Sequence, residues 1–304
     1  MLTKLMEGVG NKLADQWIAS LLTSAFLFWA GGLIAWISKF GWNALENWFS
    51  TQQQVAQITI VIAAFLIVSV SAIVMQRFNL LAINLLEGYW PSWLRRPKSW
   101  LIQWRAQKVA KMEKRFQDLA HQGIGNLSAE EHDEYATLDQ QLMYIPTTPD
   151  QLMPTELGNI LRAAELRSQD KYGLHSLICW PRLWLLLSSD VKKELTDART
   201  LLNTGANMWL WSILFLIWTI WAWWAIPISL IVAFFAYRWI VNAAKTYGEL
   251  LDATFDLYRN DLYKLLRWPL PENPLVERQV GKQVSDYLWR GSDSTIPTFK
   301  VENK

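Results

Sequence analysis

The chain has 304 residues, of which 52% are apolar, 18% are charged and 20 are tryptophan, with a formal net charge of +2. This balance excludes a disordered chain and a collagen-like fibre, and the small net charge gives no reason to expect nucleic acid as a partner. The single cysteine, Cys179, excludes an intrachain disulfide. The composition predicts a protein that lies partly in a membrane and partly in water.

Long apolar stretches predict four transmembrane helices. The first covers residues 17–38 and the second covers residues 55–75, and neither contains a charged residue. The third and fourth share residues 208–244, which is about twice the length needed to cross a bilayer. We expect this stretch to form a helical hairpin that turns at residues 225–229, because Pro227 removes a backbone donor and crowds the preceding turn.

The distribution of charge predicts the orientation in the membrane. Residues 77–115 contain many more basic than acidic side chains, whereas Lys39 is the one basic residue in the loop between the first two spans. Because basic segments stay on the cytoplasmic side, we expect both termini and the large middle segment to be cytoplasmic. The predicted location is the bacterial inner membrane, with several passes.

The segments between and after the spans carry helical signals. Ser128 and Glu131 form a capping box, Gly173 is a typical helix stop, and Asn273 with Pro274 predicts the start of a last helix. The predicted fold is an all-α integral membrane protein with four transmembrane helices, a helical cytoplasmic insert and a helical cytoplasmic C-terminal segment. The predicted boundaries are 1–16 for a cytoplasmic N-terminal segment, 17–76 for the first transmembrane hairpin, 77–206 for the cytoplasmic helical domain, 207–244 for the second transmembrane hairpin, 245–291 for the cytoplasmic C-terminal helices and 292–304 for a flexible tail.

Two features inside the predicted spans are candidates for function. Arg238 is an intramembrane cation, which faces either a pore or an anion, or else snorkels from a short fourth span. Small residues let helices approach closely, either inside one subunit or between subunits. These helix-packing candidates are Gly31, Gly32, Ala35, Ser69 and Ser71.

A basic, tryptophan-bearing segment and an apolar block are candidates for binding a membrane surface or a protein partner. A basic helix with tryptophan on its apolar side suits an anionic membrane surface, although such a helix also packs on its own domain with a solvated basic face. The candidate residues are Trp100, Trp104, Arg105, Lys108, Lys111, Trp180, Arg182 and Trp184.

Signatures of catalysis are missing from the sequence. It contains no glycine-rich phosphate loop, no nucleophile elbow and no zinc-protease motif, and the chain has only 3 histidines. We therefore expect a protein that is not an enzyme, with no cofactor and no metal site. An enzyme acting on a lipid or a membrane-embedded substrate would need convergent polar residues, which the sequence does not locate.

Two blocks of sequence carry a resemblance to a known group of proteins. The blocks are Leu157-Gly-Asn-Ile-Leu-Arg-Ala-Ala-Glu165 with Tyr172-Gly and Trp180-Pro-Arg-Leu, and Tyr247-Gly-Glu-Leu-Leu-Asp-Ala-Thr-Phe-Asp-Leu-Tyr258. They resemble a region of uncharacterised bacterial integral membrane proteins, which implies a bacterial origin and no particular activity. The order of spans and insert is similar, in topology alone, to bacterial bestrophin-like anion channels.

Together these patterns favour a homo-oligomeric membrane protein that forms or gates an ion-permeable pore. A membrane effector of stress or phage defence, controlled by its cytoplasmic helices, would suit this layout. The alternative is a membrane-anchored binding module that recruits a cytoplasmic protein partner. In both cases the lipid bilayer is the first partner.

Overall fold

The computed structural model describes residues 24–293, and every regular element in that range is a helix. The predicted N-terminal segment, the start of the predicted first span and nearly all of the predicted tail lie outside the described residues. The helices are α1 (Ser24–Phe40), α2 (Trp42–Ser50), α3 (Gln54–Gln76), α4 (Asn79–Glu87), α5 (Arg95–Gln122), α6 (Ala129–Met143), α7 (Glu156–Tyr172), α8 (Ser176–Leu186), α9 (Ser189–Phe215), α10 (Ala225–Leu265) and α11 (Pro274–Arg290).

The chain divides into two compact units. Among the described residues, the first unit contains 24–84 together with Leu201–Ile240, and the second contains Leu85–Thr200 together with 241–293. Helices α9 and α10 each contribute residues to both units. The domain boundaries expected from the sequence stay a prediction.

Among residues 24–293, three helical segments are long and apolar enough to cross a membrane, namely α3, Ser189–Ile220 and α10. A fourth candidate is the pair α1 and α2, which is bent by 104° at Gly41. Only 6% of the most apolar stretch of α3 is buried, so nearly all of its large apolar side chains are exposed. Apolar surface of this extent needs lipid or another protein chain to cover it.

The connection between the third and fourth apolar segments lies earlier than the sequence predicted. A 3-10 turn at Leu216–Ile220 and four further residues form the connection, and α10 begins at Ala225. Pro227 therefore lies in the first turn of α10 rather than in the bend itself. Proline is tolerated there because the first backbone N–H groups of a helix have no acceptor within that helix.

Aromatic side chains hold the first unit together. The Phe28 ring lies 5.0 Å from each of the Trp211 and Trp218 rings. The indole N–H of Trp218 donates to the Phe28 carbonyl at 3.1 Å, and that of Trp29 donates to the Ser71 hydroxyl at 3.0 Å. These three tryptophans are therefore interior packing residues of the first unit.

Helices α5 and α6 form an antiparallel pair in the second unit. The predicted capping box is confirmed, because the Ser128 hydroxyl accepts the Glu131 N–H while the Glu131 carboxylate accepts the Ser128 N–H. The Phe116 and Tyr135 rings stack at 4.6 Å between the two helices.

The start of α7 is fixed by side chains that bond to the backbone. The Thr155 hydroxyl caps the Gly158 N–H at 3.0 Å and donates to the Glu87 carbonyl at 3.0 Å. The buried Asn159 amide bonds to both the N–H and the carbonyl of Met153. The helix ends at Gly173 in the left-handed conformation, as predicted from its sequence.

The core of the second unit lies among α7, α8, α10 and α11. Its buried members are apolar or aromatic residues, and Cys179 is one of them. Burial raises the pKa of the Cys179 thiol to about 11, so this cysteine is an unreactive core residue. The other buried members are Ala164, Leu174, Leu183, Leu251, Phe255, Leu262, Tyr263, Trp268 and Val284.

Candidate functional site

A row of charged residues runs along one side of α10 within the second unit. Glu249, Asp252, Asp256 and Arg259 are spaced three or four residues apart, so they share one face of the helix. We call these four residues the coupling face. Each of them contacts a side chain from another part of the second unit.

Helix α7 supplies the cations that bind the two aspartates. The Lys171 ammonium lies 2.9 Å from a carboxylate oxygen of Asp252 and 3.2 Å from one of Asp256, and the Arg167 guanidinium lies 3.2 Å from Asp252. Arg167 and Lys171 are also four residues apart, so the two helices present matching rows of opposite charge.

Tyr172 and α11 complete the network. The Tyr172 hydroxyl donates to the Asp256 carboxylate at 2.5 Å, and the Arg259 guanidinium lies 4.2 Å above the Tyr172 ring. The same guanidinium donates to the Glu277 carboxylate of α11 at 2.7 Å. Burial and the hydrogen bond to Asp256 both raise the pKa of Tyr172, so this hydroxyl stays protonated and remains a donor.

A further contact joins the coupling face to the segment after α6. The Tyr144 hydroxyl donates to the Glu249 carboxylate, and this bond, with a smaller contribution from burial, raises the pKa of Tyr144 to about 12. The Lys245 ammonium lies 4.9 Å from the centre of the Tyr144 ring.

The ion pairs of the coupling face are more sheltered than ordinary surface pairs. The side chains of Asp252 and Glu277 are 14% and 10% exposed. Isolated surface pairs contribute about 0–1 kcal/mol each, but a shared and partly buried network holds its members in one geometry. The network therefore ties α7 and α11 to α10.

A second polar cluster surrounds Glu87 at the start of the second unit. Burial raises the pKa of Glu87 to about 7, Arg199 partly opposes this shift and Glu165 adds to it. The Arg199 guanidinium lies 5.6 Å from the centre of the Tyr247 ring on α10. Glu87 is thus an acid whose charge changes near neutral pH.

The structure places the helix-packing candidates inside the first unit. A Cβ atom at Gly31 would meet the Phe215 ring, and one at Gly32 would meet the Trp218 ring. Ala35 is fully buried. The Ser71 hydroxyl accepts from Trp29, as described above. Ser69 and Arg238 do not take part in these contacts. The Ser69 hydroxyl donates to a carbonyl one turn earlier in α3, and Arg238 is exposed on α10.

The surface candidates of α5 fall into two groups. Trp100 and Trp104 are 65% and 50% exposed, and Lys108 and Lys111 are exposed as well. Arg105 instead points into its own unit, where its guanidinium donates to the Pro154 carbonyl at 2.8 Å. Four of the five α5 candidates therefore lie on an open surface.

The candidates of α8 are more closely tied to the core. The rings of Trp180 and Trp184 lie 5.7 Å apart, and Trp180 packs 6.1 Å from the buried Phe255 ring. Arg182 is exposed, and its guanidinium donates to the Ile178 carbonyl at 2.7 Å. Trp180 therefore serves packing, and the exposed part of this group is small.

Sequence reasoning missed the coupling face as a site. A usable signal was present, because two aspartates four residues apart on α10 match two cations four residues apart on α7. The pairing of two helices that lie far apart in sequence is not itself encoded by a local pattern. Among residues 24–293, no group of three or more His, Cys, Asp or Glu side chains is placed to hold a metal ion.

Comparison with known proteins returns no match: no family model, no curated protein and no solved structure aligns significantly with this chain. The resemblance to bacterial membrane proteins therefore stays a prediction from the sequence. The functional argument has to rest on the geometry of the chain.

Proposed function

We propose that this chain is a homo-oligomeric, multi-pass protein of the bacterial inner membrane that forms or gates an ion-permeable pore. Its helical second unit lies in the cytoplasm and controls the pore, and both termini are cytoplasmic. The protein acts without catalysis. The three long apolar helices and the bent pair α1 and α2 provide the membrane-spanning segments.

The observation that carries this proposal is the continuity of α10. This helix has 41 residues, which corresponds to roughly 60 Å. Its C-terminal part bears the coupling face, and its N-terminal part is one of the apolar segments of the first unit. A shift of α7 or α11 would act on Asp252, Asp256 or Arg259 and would move α10 as a rigid body.

The distribution of polar and apolar groups in the first unit supports the proposed oligomerisation. The Ser229 hydroxyl donates to the Ser212 carbonyl at 2.5 Å, and the amides of Asn207 and Asn79 pair at 3.1 Å. These polar groups satisfy each other, whereas α3 presents an almost wholly exposed apolar surface. An ion path therefore requires several copies, with α3 facing either lipid or a neighbouring copy.

The direct test combines subunit counting with ion flux. Mass photometry of the purified protein in detergent measures the number of copies, and a liposome assay of the same preparation measures leak. We expect a defined assembly of several copies and an ion flux above that of empty liposomes. A monomer in detergent together with tight liposomes would overturn the pore proposal.

A membrane-anchored binding module is the second candidate function, and the open surface of α5 favours it. Trp100, Trp104, Lys108 and Lys111 combine exposed indoles with exposed cations, which suits an anionic membrane surface. Under this alternative, affinity capture recovers one soluble protein in equal amount with the chain, and liposomes stay tight. Leak from liposomes without such a protein would contradict it.

A further inference from the structure

A groove opens in the second unit between α11 and the turn that joins α7 to α8. Its volume is about 700 Å³, which lies in the usual range for sites that bind small molecules. Helix α11 contributes most of the wall, and Gln169, Gly173, His175 and Ile178 contribute the rest. The groove is separate from the coupling face, which lies on α10.

The wall of the groove carries unneutralised positive charge. Arg278, Lys282 and Arg290 line it against one acid, Asp286. Within residues 24–293, no salt bridge joins any of these three cations to a carboxylate, whereas Arg167, Lys171 and Arg259 of the same unit are all paired. Concentrated and uncompensated cations in a concave surface attract anions.

His175 is one of the residues that line this groove. The backbone N–H of His175 donates to the Ser285 hydroxyl at 2.9 Å, which fixes the residue in place. The His175 Nδ1 atom is buried and has no hydrogen-bond partner among the described residues. Buried polar atoms are normally satisfied, so this nitrogen is an unusual feature of the groove wall.

An indole stands beside the cations. Trp289 lines the groove and is 66% exposed. Flat aromatic ligands such as nucleobases stack on such rings. Gln169, Gln279 and Asp286 add neutral and acidic hydrogen-bonding groups along the same wall.

We propose that this groove binds a nucleotide. The phosphates bind Arg278 and Lys282, and the base stacks on Trp289. Asp286 is an acceptor for a ribose hydroxyl or a base N–H. Its negative charge would also repel a uniformly anionic membrane surface. The proposal concerns binding alone, so it stands whether or not the chain forms a pore.

The test is calorimetric titration of the purified full-length chain in detergent with ATP, GTP, pyrophosphate and adenosine. We expect ATP or GTP to bind more tightly than either pyrophosphate or adenosine, since only a nucleotide uses both the cations and the indole. The double variant Arg278→Gln/Lys282→Gln should weaken nucleotide binding by roughly tenfold or more, because it removes two charge-assisted contacts. The matched variant Lys192→Gln/Lys193→Gln removes two charges from α9 and should bind like the parent.

A second variant separates the base from the phosphates. Trp289→Ala should weaken ATP binding and leave pyrophosphate binding unchanged. None of the replaced side chains is buried, since Lys192 is half-buried and the others are exposed, so each variant should keep the parent melting temperature, which is measured alongside. No binding of ATP or GTP, equal binding of ATP and pyrophosphate, or parent-like binding by Arg278→Gln/Lys282→Gln would overturn the proposal. Binding of the groove to anionic vesicles in place of nucleotides would also overturn the proposal.

Discussion

A helical glycine in the first unit lies against an aromatic ring, whereas a helical glycine in the second unit lies against a backbone carbonyl. Gly32 of α1 faces the Trp218 ring, and Gly281 of α11 faces the Tyr172 carbonyl. A ring can turn away from an added methyl group, but a carbonyl at the end of a helix can move only with its backbone. The comparison suggests that the first unit can repack and that the second unit is a rigid body.

Removal of a core aromatic ring from the second unit should have the largest effect on the free energy of unfolding. Phe255 is 1% exposed, so Phe255→Ala leaves a cavity and should lower the free energy of unfolding by about 3–5 kcal/mol. The measurement is thermal or denaturant unfolding followed by tryptophan fluorescence. Leu257→Ala on the same helix is the control, because Leu257 is 74% exposed and should change stability by less than about 0.5 kcal/mol. Equal losses in both variants would contradict a rigid core.

An added methyl group at Gly281 should have the next largest effect. In an open helix, replacement of glycine by alanine gains roughly 1 kcal/mol of helix propensity. At Gly281 the methyl group overlaps the Tyr172 carbonyl, so Gly281→Ala should instead destabilise the chain by about 1–3 kcal/mol. Gly125→Ala is the matched control, since nothing lies within 4 Å of its added Cβ. A stabilised Gly281→Ala variant would exclude close contact between α7 and α11.

A glycine-to-alanine substitution in the first unit should lower the free energy of unfolding by less. Gly32→Ala also overlaps a neighbour, but the neighbour is the Trp218 side chain, and the helix-propensity gain offsets part of the strain. We expect a loss of at most about 1 kcal/mol, measured by unfolding in the same detergent. A loss as large as that of Gly281→Ala would show that the first unit is no more adaptable than the second.

The pH dependence of stability should also change. Glu87 has a pKa raised from 4.5 to about 7 in the folded chain, so the folded state binds more protons than the unfolded state between these values. Stability should therefore fall as pH rises from about 4.5 to 7, and Glu87→Gln should flatten this part of the profile. The check is the melting temperature of both proteins from pH 4.5 to 8. Parallel profiles would contradict the raised pKa of Glu87 in the folded chain.

Local chemistry made much of the second unit predictable. The capping box at Ser128, the glycine stop at Gly173 and the cap at Asn273 are confirmed, and the Asn273 side chain accepts the N–H groups of Leu275 and Val276. Each of these signals depends on a few adjacent residues. The starts of α6 and α11 and the end of α7 were accordingly placed within one residue.

Contacts between distant segments were not predictable in the same way. The packing of Trp211 and Trp218 against Phe28 depends on which helices become neighbours, and so does the pairing of the coupling face with α7. The predicted bend at Pro227 was wrong for a related reason. A proline is compatible both with a turn between helices and with the first turn of a helix. Sequence therefore predicted the elements better than the partners of each element.

The most direct test of the proposed control through α10 is ion flux after the coupling face is neutralised. Asp252→Asn/Asp256→Asn removes the two carboxylates that hold Arg167, Lys171 and Tyr172, whereas Asp261→Asn on the same helix removes an exposed acid whose ion pair lies within α10. If the network restrains α10, the double variant should raise flux into liposomes by about fivefold or more at an unchanged subunit count, and Asp261→Asn should match the parent. Equal flux from all three proteins would contradict the proposal that the coupling face controls the membrane-spanning part of α10.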